Sequence, residues 1–155
     1  MNSKKIILTS VVLFSLASAA NAERDGVYSG ANFGGVVASK NVSRGFTAEA
    51  NAGYQVSKYN AYQLSGMYGA HDNGWLMAEG LLKLPIGKYV TPYALLGVGY
   101  THLNKSSGGA DIGAGININI TEKVSAMVQY KFIQTIGPGT PNANIVSTGL
   151  IFFLD

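Results

Sequence analysis

The fold class this sequence predicts is all-β: eight antiparallel strands closed up-and-down into a barrel that crosses a membrane. Three observations carry the prediction. From Asp111 to Ile120 the chain alternates without a fault, with Ile112, Ala114, Ile116, Ile118 and Ile120 on one parity and Asp111, Gly113, Gly115, Asn117 and Asn119 on the other, which is the period of a two-faced strand. Seven more segments alternate in the same way between turn residues. The connections after odd strands are mostly longer than those after even strands, as in a membrane barrel with both termini on the short-turn side. A strand of about ten residues rises about 33 Å and, tilted by roughly 40°, crosses the apolar band of a bilayer.

Before the first strand, Lys4 and Lys5 lead into an apolar stretch from Ile6 to about Ala17, followed by small residues ending in Ala20, Asn21 and Ala22. This is the anatomy of a secretory signal cleaved after Ala22, and the stretch is shorter than the roughly 20 residues of a spanning helix. Residues 1–22 are therefore set aside, and residues 23–155 are read as one barrel domain. The signal carries two of the 11 basic residues, leaving nine against 8 acids. That is no footprint for nucleic acid. With no cysteine, an exported chain has no disulfides to rely on, so its stability comes from a closed hydrogen-bonded scaffold, a membrane or both. Only 12% of residues are charged and 20 are glycine, a balance that suits an apolar skin around small interior residues.

The first strand, Gly26 to Val37, sets Val27, Ala31, Phe33 and Val37 against Tyr28, Gly30, Asn32 and Gly34. The second, Gly45 to Val56, sets Phe46, Ala48, Ala50, Ala52, Tyr54 and Val56 against Thr47, Glu49, Asn51, Gly53 and Gln55. The third, Asn60 to Gly69, alternates Tyr62, Leu64 and Tyr68 with Gln63, Ser65 and Met67, and the fourth, Trp75 to Leu84, alternates Leu76, Ala78, Leu82 and Leu84 with Met77, Glu79, Leu81 and Lys83. In the fifth, Thr91 to Thr101, Ala94, Leu96, Val98 and Tyr100 oppose Tyr93, Leu95, Gly97, Gly99 and Thr101. The sixth is Asp111 to Ile120. The seventh, Val124 to Ile133, opposes Val124, Ala126, Val128, Tyr130 and Phe132 to Ser125, Met127, Gln129 and Lys131. The eighth, Asn144 to Leu154, opposes Val146, Leu150, Phe152 and Leu154 to Ser147 and Gly149, with Ile151 and Phe153 unexpectedly apolar on the inner parity.

The longer connections are Ala38 to Arg44, Ala70 to Gly74, His102 to Gly109 and Gln134 to Asn142; the shorter ones are Ser57 to Tyr59, Pro85 to Val90 and Thr121 to Lys123. Size decides which face is outside. An eight-stranded barrel has an interior that side chains just fill, so the parity of Gly, Ser, Thr, Asn and Gln goes inside and the Ile, Leu, Val, Phe and Tyr parity faces lipid. A soluble sandwich would instead expose strand glycines to water at a cost in stability. Tyr54, Tyr62, Tyr68, Trp75, Tyr100, Tyr130, Phe132 and Phe152 lie near strand ends, where interfacial girdles form. Gly97 with Gly99 and Gly113 with Gly115 sit mid-strand with no helix after them, so they read as makers of lumen space, not as nucleotide loops.

The run Tyr28, Ser29, Gly30, Ala31, Asn32, Phe33, Gly34 resembles the opening strand of the small outer-membrane β-barrel family typified by the transmembrane domain of outer membrane protein A. Ser147, Gly149, Phe152 and Leu154 are similar to that family's carboxy-terminal pattern, which implies a signal read by the barrel-insertion machinery. The ending Leu154, Asp155 departs from the family's terminal aromatic, and no periplasmic peptidoglycan-binding domain is expected after it. The resemblance implies residence in the outer membrane of a Gram-negative-type bacterium, with both termini periplasmic. It also implies outer-membrane lipids and lipopolysaccharide as surroundings, and a monomer.

Five charges fall on the inward parity: Glu49, Glu79, Lys83, Asp111 and Lys131. A basic side chain facing lipid at mid-depth costs roughly 2 to 4 kcal/mol, so all five are expected inside, paired and hydrogen-bonded to Asn, Gln, Ser and Tyr. Asp111 and Lys131, near the outer ends of neighbouring strands, are the expected direct pair. Such a network either plugs the lumen or lines a narrow ion pathway; a structural, envelope-integrity role with at most a narrow pore is the expectation. A lipid A-modifying barrel enzyme is an alternative, for which His71, Asp72, His102, Ser106 and Ser107 would have to meet across loops, because no His and Ser share a strand face at nucleophile–base spacing. No catalytic residue, metal or cofactor is expected. Surface recognition is the other alternative, but the loops are short, and Gly137, Pro138, Gly139, Thr140, Pro141 makes a stiff crossing.

Overall fold

A computed structural model describes residues 26–40, 42–103, 105–137, 139 and 141–154. The proposed signal segment lies outside the described residues. Eight strands form one closed barrel in sequence order: β1 (Val27–Lys40), β2 (Phe46–Gln55), β3 (Asn60–Gly69), β4 (Gly74–Lys83), β5 (Val90–Leu103), β6 (Lys105–Asn119), β7 (Val124–Thr135) and β8 (Asn142–Phe153). Every neighbouring pair is antiparallel, and β1 closes the barrel on β8, with Gly30 opposite Ile151 and Gly34 opposite Ser147. Closure leaves no unpaired strand edge, which is what the backbone needs where no water reaches it.

The parity assignments hold along every strand. Ile112, Ile116, Ile118 and Ile120 project outward while Asp111 and Asn117 are buried inside, and Leu96 remains 65% exposed although it sits mid-strand. Bulky outward residues ring the barrel, among them Phe33, Leu82, Val98, Val128 and Leu150. In β1 the register against β8 shifts between Val36 and Ala38. Val37 is the extra residue there, and beyond it Ala38 and Lys40 are exposed while Ser39 is half-buried, so the bulge shifts the facing of the strand end by one residue.

The expected asymmetry of connection length is not found. Residues 41–45, 70–73, 104 and 136–141 connect one end of the barrel, and residues 56–59, 84–89 and 120–123 the other. Much of what reads as loop is strand: Thr101 pairs with Ser107, His102 with Ser106 and Leu103 with Lys105. Beyond the lipid band a strand has no apolar face to keep, so polar and glycine residues there show no alternation even though the backbone ladder continues. The asymmetry survives as strand overhang, with β5 and β6 running to 14 and 15 residues.

The interior is layered. At the loop end Val36, Val42, Met67, Trp75, Met77, Leu103, Ile133 and Ile145 pack into one apolar cluster. Toward the turn end Tyr28, Leu81, Tyr93, Leu95, Met127 and Ile151 form a second, with Phe153 against it. The inward parity therefore carries bulky apolar side chains as well as small and polar ones. Glycines on the inner parity supply the volume: a Cβ on Gly53 would stand 2.5 Å from the Tyr28 ring, and one on Gly115 2.5 Å from the Tyr93 ring. Trp75, expected in an interfacial girdle, points inward and is fully buried. It shares the parity of Met77 and Glu79, so its aromatic character misled where its register did not.

Candidate functional site in the barrel lumen

Between the two apolar layers lies a polar belt centred on Lys131. Its ammonium meets Glu79 Oε1 at 2.5 Å and Glu49 Oε2 at 3.0 Å, while Asp111 Oδ2 stands 3.8 Å away. Lys131 projects from β7, Glu79 from β4 and Glu49 from β2, each carboxylate three strands away around the barrel. One side chain thus spans the lumen in two directions. The expected pair of Asp111 with Lys131 is present, as the longest of the three contacts. Asp111 faces Ile133, and Gly113 faces Lys131, so Asp111 reaches the ammonium diagonally from the neighbouring strand, while the two shorter contacts come from across the lumen.

Amides complete the belt. Asn32 Nδ2 donates to Glu49 Oε1 at 3.0 Å, and Gln63 Nε2 donates to Glu79 Oε2 at 2.6 Å. Tyr28 donates through its hydroxyl to Gln63 Oε1 at 2.9 Å, and Tyr93 to Gln129 Oε1 at 2.9 Å. The bonds run Tyr28, Gln63, Glu79, Lys131, Glu49, Asn32, leaving β1 and returning to it. Charge-assisted contacts of this kind are about twice as strong as neutral ones, and a dry interior makes them stronger. Gly97 leaves the space in which Asp111 and Glu79 approach: a Cβ there would be 2.2 Å from Asp111 Oδ1 and 2.7 Å from Glu79 Cγ.

Lys83 is inside, as expected, but outside this belt. Its ammonium donates to Gln55 Oε1 at 2.7 Å and lies 5.2 Å from the Tyr28 ring centre. Among the described residues it has no carboxylate partner. Six residues of spacing between Tyr28 and Gly34, or two between Leu81 and Lys83, place a residue in a layer only once strand tilt is known, and parity carries no tilt.

Of the proposed insertion signal, Ser147 is buried on the lumen face and Phe152 faces outward. Gly149 lies where a Cβ would come within 2.1 Å of the Ala31 carbonyl oxygen. Leu154 follows β8 and donates its N–H to Val27 O at 3.0 Å, at the closing seam.

Among the loop candidates, Tyr68 donates to Asp72 Oδ1 at 2.9 Å, and Ser107 Oγ donates to Ile136 O at 2.5 Å. His71 and Asp72 occupy a short turn with left-handed backbone, φ 59° and 61°. His102 Nδ1 and Ser106 Oγ are 2.7 Å apart across the β5–β6 hairpin, brought onto one face because the hairpin is strand where a loop was expected. Among the described residues no carboxylate hydrogen-bonds to His102, so the third member of a hydrolytic triad is not assembled there.

The sequence profile of the family described as "Outer membrane protein beta-barrel domain" matches residues 6–151. Among solved structures, Neisserial surface protein A is similar at 15% identity, covering 82% of this chain and 96% of that one, with a TM-score of 0.67. The N-terminal β-barrel domain of Pseudomonas aeruginosa OprF is similar at 15% identity over 83% of this chain and 98% of that one, with a TM-score of 0.64. A de novo designed transmembrane β-barrel is similar at 17% identity over 85% and 98%, with a TM-score of 0.62. At such identities the likeness is one of fold. No curated protein matches the chain.

Proposed function

Since the chain belongs to the outer membrane protein β-barrel domain family, we propose that it is an integral protein of a bacterial outer membrane, both termini periplasmic, whose barrel supports the envelope and does not conduct. One observation carries this reading: the lumen is filled from wall to wall at successive levels. Lys131 is 1% exposed, and Met67, Trp75, Met77, Leu103, Ile133 and Ile145 above it are at 1% or less. A water-wide passage would leave its lining accessible to water. The belt is then a plug in which one ammonium holds three carboxylates, Glu49 and Glu79 by hydrogen bonds and Asp111 by charge alone.

Planar-bilayer recording of the mature chain tests the plug. The expected result is silence in the wild type at potentials that leave the bilayer intact. Stable unitary conductance that changes in Glu79→Gln would favour the narrow-pore reading. The hydrolytic reading gains only the His102–Ser106 contact. Deacylation of labelled lipopolysaccharide that disappears in His102→Ala would establish it, and no deacylation is expected.

A further inference from the structure

We propose that the turn-end mouth of the barrel is a binding site for a phosphate group, with Lys83 at its floor. A cavity of about 380 Å³ opens there between the turns, lined by Gln55, Lys58, Lys83, Lys88, Asn117 and Glu122 among others. Its volume is that of a small-ligand pocket. Lys83 is 5% exposed, and an ammonium has three N–H donors, of which Gln55 Oε1 takes one. A buried cation is ordinarily paired. Lys131 has three carboxylates within 4 Å, whereas Lys83 has none among the described residues and faces a space large enough for an anion.

The other lining groups agree in sign and in kind. Lys58 and Lys88 stand at the rim over the rings of Tyr59 and Tyr89, at 4.9 and 5.9 Å, and the described lining holds one acid, Glu122. Asn117 is buried, and its Oδ1 accepts no hydrogen bond. It calls for a donor from the ligand. Asn119 is already fixed, accepting from Ser125 Oγ at 2.8 Å and donating to Lys88 O at 3.1 Å. The ligand must therefore offer anionic oxygens to Lys83 and a hydroxyl to Asn117. A hydrogen phosphate, or a phosphate ester beside a hydroxyl, supplies both; chloride supplies neither the second contact nor the fit. The group could come from a soluble phosphate ester or from a lipid headgroup reaching over the rim. The site stands apart from the plug and does not depend on whether the lumen conducts.

The test is calorimetric titration of the mature chain, folded in the phosphate-free detergent lauryldimethylamine oxide, with sodium phosphate against sodium chloride at matched ionic strength. Saturable binding of phosphate is expected, weakened about tenfold in Lys83→Met by loss of one charge-assisted hydrogen bond. The exposed double variant Lys58→Ala/Lys88→Ala, which touches nothing in the core, is expected to weaken it by a smaller factor. Lys40→Ala at the opposite end should leave it unchanged. Unboiled gel mobility confirms that each variant is folded, and should Lys83→Met fail to fold, the rim variant decides. Binding no stronger than chloride, or equal in wild type, Lys83→Met and the rim variant, would overturn the proposal. Displacement of phosphate at lower concentration by glycerol 3-phosphate assigns a soluble ester, and by short-chain phosphatidylglycerol a lipid headgroup.

Discussion

At the residue scale the decisive group is Lys131, which holds carboxylates of β2 and β4 from the opposite wall. Lys131→Met leaves Glu49, Glu79 and Asp111 buried without their ammonium, and removing one partner of a buried pair costs about 3 to 5 kcal/mol. Urea unfolding in detergent should show that loss, and Lys131→Met combined with Glu49→Gln and Glu79→Gln should recover part of it. A loss below about 1 kcal/mol would mean that the belt is solvated. That these charges lie inside was legible in the sequence, because Glu49, Glu79, Lys83, Asp111 and Lys131 all keep the inward parity. Who pairs with whom was not. Strand tilt carries β7 residues across to β4 and β2, and period two contains no record of tilt. Trp75 makes the same point: parity put it inside, and the habit of placing Trp at interfaces put it outside. As the single tryptophan of the chain, it offers a direct reading. Its fluorescence should be insensitive to brominated lipid tails, whereas Phe33→Trp in a Trp75→Phe background should be quenched.

At the scale of the element, strand existence and facing were legible, while strand ends were not. Alternation is enforced only where one side meets lipid and the other the lumen. In β6 it runs from Asp111 to Asn119, yet the strand begins at Lys105, in a stretch of Ser and Gly with no period. Single cysteines introduced along 111–120 should report this directly, since the chain has none of its own. A label at positions 112, 114, 116 and 118 should contact lipid, and one at 111, 113 and 117 should not. Glycines impose a second condition on the elements. A Cβ on Gly149 would meet the Ala31 carbonyl oxygen at 2.1 Å and Asn32 Oδ1 at 2.3 Å, at the seam where β8 closes on β1. Because a backbone oxygen cannot rotate away, Gly149→Val should impair closure, at a cost of about 1 to 3 kcal/mol or more from overpacking, read as a lower yield of folded barrel. Gly108→Ala, whose Cβ would have only Gly99 O at 4.0 Å, should fold normally.

For the whole molecule, an outward skin of Leu, Ile, Val and Phe encloses an interior of apolar cap, charged belt and apolar floor, with a basic mouth at the turn end. Such a skin would be an aggregation surface in water and is a stabilising one in lipid. The barrel and its orientation of faces were readable from eight alternating segments; which side chains fill the lumen at each level was not, since Gly53 and Gly115 leave room for the Tyr28 and Tyr93 rings and Gly97 for Asp111 and Glu79. The most direct test of a closed membrane barrel is gel mobility of the mature chain after folding into lipid vesicles. A closed barrel is expected to migrate as a compact, faster band without boiling and to shift to its full apparent mass once boiled. Identical migration before and after boiling, from vesicles in which the chain is fully incorporated, would contradict it.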